Sequence, residues 1–183
     1  MKRVIFVLLI AITAGISIHV SHAGVPSRNM AIEIEIDKNI EPFSSDNLLA
    51  VLTMELKGKG YKGDIRLIPR EFAEVEEDES LVRLTLTECG WKTEKALSFP
   101  YLLNRYNRVF TLACFMELPD GKNGDVAKYI KADGSAGKQA QLMQDDRYDP
   151  DLLLDQSEKI KLEEDVCGKL ARKITGLLLK NLN

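Results

Sequence analysis

Apolar and polar positions alternate strictly along Ala31-Ile32-Glu33-Ile34-Glu35-Ile36, the period-two pattern of a strand with one face buried. From Ser44 the spacing becomes helical. Leu48, Leu49, Val51, Leu52 and Leu56 recur on one stripe, Ser44 and Ser45 are N-cap candidates, and Gly58 and Gly60 supply a stop. A strand around Asp64 to Pro69 follows, ended by the proline, then an acidic connector from Glu71 to Glu79. In Leu81 to Trp91, Val82, Leu84 and Leu86 share one side while Arg83, Thr85 and Thr87 share the other. Phe110, Leu112, Cys114, Met116 and Leu118 form the most apolar strand face in the chain. The turn Asp120 to Gly124 leads into a strand near Val126 to Ala132, with Asp133-Gly134-Ser135-Ala136-Gly137 as its terminator. Asp155 and Glu158 form a capping box ahead of a long helix striped by Val166, Cys167, Leu170, Ile174, Leu177 and Leu178. The order is β-α-β-β-β-β-α: an α+β domain, a mostly antiparallel sheet with two helices packed on one face.

The first residues carry a different signal. Lys2 and Arg3 precede an uncharged apolar stretch from Val4 to Ile18, and Ser21-His22-Ala23 places small residues at −3 and −1 of a cut before Gly24. The expected organisation is a signal peptide over 1–23, a leader over 24–30 and a single domain over 31–183. At 1.5 Å rise per residue the apolar stretch falls short of a hydrocarbon core of roughly 30 Å, so no transmembrane segment is expected after cleavage. Losing Lys2 and Arg3 takes the formal net charge from −3 to −5. A mildly acidic exported chain argues against nucleic acid as a partner. Both histidines, His19 and His22, leave with the signal, which removes imidazole from any catalytic or metal-binding scheme.

The remaining local features have cheaper explanations than chemistry. Lys57-Gly58-Lys59-Gly60-Tyr61-Lys62-Gly63 has the composition of a phosphate loop, yet it follows a helix where a phosphate loop would open one. The carboxylates of Glu71 to Glu79 and of Asp145 to Asp151 lack the glycine-turned ligand spacing of a calcium loop. Glu88 falls in phase with Leu84 and Leu86, where it marks the end of the buried stretch. Cys114 and Cys167 sit on apolar stripes, and two arrangements stay open for them: a disulfide across the core, or buried thiols acting as small hydrophobes. Cys89 shares the polar phase of Arg83, Thr85 and Thr87. No catalytic, cofactor or metal site is assembled, and the chain is expected not to be an enzyme.

Ala96 to Arg108 reads as a long loop between strands, rich in aromatic and arginine residues. Two roles stay open for it: a contact surface with Tyr101, Arg105, Tyr106 and Arg108 as anchors, or a lid folded over the sheet. On the strand Ile32 to Ile36, the Val166 to Leu178 stripe and the element order, the chain resembles small bacterial envelope accessory proteins. These are the LPS-assembly lipoproteins of the LptE type and related domains of curli-export and Tol-Pal proteins. It lacks their lipid-attachment cysteine after the cut. The resemblance implies a periplasmic or secreted, non-enzymatic helper with a protein partner in the cell envelope, docked on a larger transport or assembly machine. The competing expectation is a binding module that encloses a small apolar ligand between helix and sheet.

Overall fold

The computed structural model describes residues 28–37, 44–69, 75–99, 103–119, 125–139 and 154–182, with 95–99, 103–106 and 137–139 described by backbone alone. The expected signal segment, Gly24 to Ser27, Tyr101, Glu71 to Glu74 of the acidic connector and the cluster from Asp145 to Asp151 lie outside these residues. The elements are β1 (Asn29–Ile36), α1 (Ser45–Gly58), β2 (Ile65–Ile68), β3 (Glu79–Phe99), β4 (Leu103–Leu118), β5 (Val126–Gln139) and α2 (Gln156–Leu182). They build an α+β fold around one sheet of order β2-β1-β3-β4-β5. The long hairpins β3/β4 and β4/β5 are antiparallel, whereas β1 runs parallel to both its neighbours. The β1-to-β2 connection passes through α1, the helical crossover that neighbouring parallel strands require.

Both helices lie on one face of the sheet and touch each other. There Met30, Ile32, Leu84, Leu86, Leu112 and Met116 from the strands meet Leu48, Leu52 and Leu56 of α1 and Val166, Leu170, Ile174 and Leu178 of α2 in one cluster. Met30 is fully buried in it: β1 begins at Asn29, two residues before the alternating run. On the opposite, outer face a small second cluster of Ala31, Ile68 and Leu81 with Val75 anchors the β2 end.

The helix ends are set by local chemistry. The Ser44 hydroxyl accepts from the Asn47 N–H at 3.4 Å, and Gly60 adopts φ 86° to stop α1. The glycine-rich stretch after it is a docking turn. Lys57 Nζ donates to the Gly63 carbonyl at 2.6 Å, and the Tyr61 hydroxyl donates to the Arg28 carbonyl. A Cβ on Gly63 would collide with that carbonyl. Burial, reinforced by nearby Asp64, pushes the Tyr61 phenol up to about 12. At α2 the capping box closes reciprocally: Glu158 N–H donates to Asp155 Oδ1 at 2.8 Å, and Asp155 N–H to Glu158 Oε2 at 3.0 Å.

Two expectations from the sequence are corrected here. Ala96 to Arg108 is not a long loop: β3 runs to Phe99 and β4 starts at Leu103, so the segment forms the two arms of a hairpin. A register shift between Ala96 and Phe99 disguises the alternation. The glycine-rich run from Asp133 does not end β5, which continues to Gln139. Gly134 sits mid-strand because α2 lies against it. A Cβ there would come 2.7 Å from Val166 Cγ2 and 2.9 Å from Leu162 Cδ1. Gly134→Ala therefore forces a branched residue of α2 away from the sheet, and should cost about 1–3 kcal/mol. A urea unfolding midpoint that falls accordingly is the expected outcome, and an unchanged midpoint would remove this close approach from the account.

Candidate docking face

The outer face of the sheet takes its character from one irregularity in β3. Leu86 pairs with Cys114 and Glu88 with the next residue of β4, Ala113, so Thr87 is an extra residue. Such a bulge shifts the side-chain phase by one position. Glu88 thereby leaves the phase of Leu84 and Leu86 and turns outward, while Cys89 and Trp91 turn inward and pack against the core cluster. Both differ from the uninterrupted alternation expected of this strand.

Outward, Glu88 meets β5 across β4. Tyr129 Oη donates to Glu88 Oε1 at 2.9 Å and Lys131 Nζ to Glu88 Oε2 at 2.8 Å. Those hydrogen bonds, that from Lys131 foremost, hold the Glu88 carboxyl below its ordinary value and raise Lys131 and Tyr129. The contribution of this cluster is present above the usual carboxylate range and fades as pH falls through the lowered Glu88 value. It is small because the groups are well exposed. Toward the other edge the Arg83–Glu33 pair at 3.1 Å and the Arg66–Glu79 pair at 2.5 Å continue the pattern, Arg66 holding Glu79 below its ordinary value. Glu88 and Glu79, held below the ordinary carboxylate value, are ionised at neutral pH and serve as fixed charge, not as proton donors.

Between these charges the face is small and concave. Ala113 is fully buried, Thr111 nearly so, and Gly90, which pairs with Thr111, carries no side chain. A groove of about 200 Å³ opens there, its lining including Thr87, Glu88, Gly90, Lys92 and Thr111. An added Cβ at Gly90 would meet nothing within 4 Å. The glycine therefore leaves space without being required by the backbone.

Behind the groove, Trp91 locks the hairpin to α2. Its Nε1 donates to Glu163 Oε1 at 3.1 Å, its ring lies 5.1 Å from Phe110, and the Arg108 guanidinium lies 5.5 Å from its centroid. Arg108 also donates to Thr93 Oγ1 at 2.7 Å and is 8% exposed. Of the four anchors expected from sequence, Arg108 thus lies under the sheet, supporting Trp91. Arg105 and Tyr106 are placed by register opposite Ala96 and Lys95 on the hairpin, and Tyr101 lies outside the described residues. Tyr129 and Lys131 are readable as the polar phase of β5, but nothing in composition marks the bulge that brings Glu88 to them. Among the described residues no His, Cys, Asp and Glu side chains gather into a metal-holding group, and no helix is long and apolar enough to cross a membrane.

No protein-family model and no curated protein matches this sequence. Solved structures are similar in chain path. A minor lipoprotein from Acinetobacter baumannii is 15% identical, with 86% of this chain and 95% of that chain covered and a TM-score of 0.44. The rare lipoprotein B from Shewanella oneidensis is 12% identical, with 82% and 94% covered and a TM-score of 0.45. The PelC dodecamer from Paraburkholderia phytofirmans is 14% identical, with 82% and 89% covered and a TM-score of 0.42.

The cysteines form no disulfide, so the thiol alternative is the one realised in this structure. Burial pushes the Cys114 thiol up to about 12 and raises that of Cys167 as well. Both are thus held protonated and act as small hydrophobes, since the thiolate is the reactive form. A thiol reagent at pH 8 should leave Cys114 and Cys167 unmodified in the folded protein and label both once urea unfolds it. Mass spectrometry of peptides after brief labelling checks this, and rapid native-state labelling of Cys114 would contradict its place in the core.

Proposed function

We propose that this chain is an exported, non-enzymatic accessory protein of the cell envelope that docks on a larger transport or assembly machine. The observation that carries the reading is the outer face of the sheet. Both helices occupy the opposite face, and the outer one presents fixed, paired charges around the Gly90 groove. A concave, preorganised polar patch of this kind suits a protein surface: partner groups exchange with the existing ion pairs, and the groove receives a side chain. The signal-like first 23 residues support an address in the periplasm or outside the cell. Arg105 on β4 is proposed as a flanking anchor of this surface, Tyr101 and Tyr106 are proposed as contacts from the sequence alone, and Arg108 contributes by holding Trp91 in place.

A carrier of small apolar ligands is the weaker reading. The layer between helices and sheet, where such a ligand would sit, is lined by side chains already packed on one another, with Leu48, Leu52, Leu86, Leu112 and Leu170 fully buried. Gly90 separates docking from folding. Gly90→Leu puts a side chain into the groove from a position where an added Cβ meets no heavy atom within 4 Å, and a strand position gains from a side chain. The variant should keep its unfolding midpoint within about 0.5 kcal/mol while losing capture of envelope proteins that the native chain retains from its host's extract. Undiminished capture by a folded Gly90→Leu protein would overturn the outer face as the docking surface.

A further inference from the structure

Among the described residues the sheet leaves the edges of β2 and β5 and, besides the last three residues of β1 beyond β2, one further stretch, and the first two are guarded. β2 is four residues long and is followed by Pro69, a short edge that offers little to an incoming strand. Along β5, Lys173 of α2 reaches up and donates to the Lys131 carbonyl at 2.6 Å, occupying an edge acceptor with a charged side chain. The third edge belongs to β3. Its pairing with β1 ends at Leu86, where the Asp37 N–H donates to the Leu86 carbonyl at 3.2 Å. β3 then continues to Phe99 with β4 on one side, and among the described residues no strand lies on the other.

The direction of the backbone groups follows from Lys173. Since the Lys131 carbonyl points away from β4, the facing residue Ala113 directs its own groups toward β3, and alternation gives Thr111 and Val109 the same direction. Their partners Gly90 and Lys92 therefore bond to β4, and the N–H and C=O of Trp91 and Thr93 aim at the open edge. On the outer face Lys92 and Glu94 flank Thr93, and both are exposed.

We infer that this edge pairs with the same edge of a second copy of the chain, antiparallel, about a two-fold axis through Thr93. Thr93 is the midpoint of the stretch from Thr87 to Phe99, so the copies stop where β1 begins and do not collide with it. In this register Lys92 lies opposite the partner's Glu94 and Glu94 opposite the partner's Lys92, giving two opposite-charge pairs on one face. Neighbouring registers are penalised: centring on Lys92 opposes two lysines, on Glu94 two glutamates, and on Trp91 sets Glu88 against Glu94. Charge thus selects the self-complementary arrangement that a two-fold interface demands. Two five-stranded sheets become one, with both outer faces on the same side.

Sedimentation equilibrium of the purified exported chain tests this. The expected result is twice the protomer mass at micromolar concentration. Lys92→Glu or Glu94→Lys alone should weaken the dimer by about tenfold or more, because each puts like charges opposite one another twice. The double variant Lys92→Glu with Glu94→Lys should restore it, since the exchanged charges again face their opposites. Thr93→Pro, which removes an N–H aimed at the open edge, should give the protomer mass. A native chain that stays monomeric overturns the inference, and so does a dimer indifferent to charge reversal.

Discussion

One extra residue, Thr87, decides which side chains of β3 meet the helices. Strand periodicity is two, so a single insertion exchanges the two faces of everything that follows. Upstream of it, Val82, Leu84 and Leu86 fill the core; downstream, Cys89 and Trp91 take over that role, and Glu88 is released to the outer face. Had alternation continued, a carboxylate would stand against Cys114 and the leucines of β4, and the chain's single tryptophan would face solvent. Burying an unpaired carboxylate costs several kcal/mol, more than a local break in the ladder. The bulge is therefore the cheaper solution to a sequence whose apolar phase changes at Glu88.

The two faces of the sheet owe their different chemistry to that switch. On the inner face Trp91 ties the hairpin to α2 through Glu163, and Arg108 and Phe110 pack against its ring. On the outer face Glu88 organises Tyr129 and Lys131 into a charged cluster beside the side-chain-free surface of Gly90. Stability resides in the apolar layer between helices and sheet, while the Glu88–Lys131 pair contributes little to it because both groups are exposed. That division leaves the outer residues available for recognition without cost to the fold.

Much of the architecture is legible in the sequence because caps and stripes are local. Ser44 with Asn47, Asp155 with Glu158, and the Val166 to Leu178 stripe act over one or two turns, and their patterns survive unchanged in the structure. What is not legible depends on contacts far away in the chain. Gly134 reads as a turn residue since glycine serves turns and close approaches equally, and Val166 and Leu162, which explain it, lie about thirty positions on. The parallel pairing of β1 with β2 and β3 leaves no mark in its alternation, which specifies a buried face but no partner. The hairpin arms hide behind a register shift, and the candidate face hides behind the bulge, so Glu88 reads as the end of a buried stretch and Arg108 as an exposed anchor.

Deleting Thr87 tests the central claim most directly. If Thr87 is the extra residue, its removal heals the ladder: Leu86 and Glu88 become ordinary neighbours already facing opposite sides, and every downstream pairing with β4 is retained. The account predicts a folded protein whose tryptophan emission maximum matches the native one and whose unfolding midpoint lies within about 1 kcal/mol of it. Were alternation unbroken in the native strand, Trp91 would already face solvent, and the deletion would exchange both faces downstream, turning Trp91 in and Glu88 out. A shifted emission maximum, or a midpoint lower by several kcal/mol, would contradict the account.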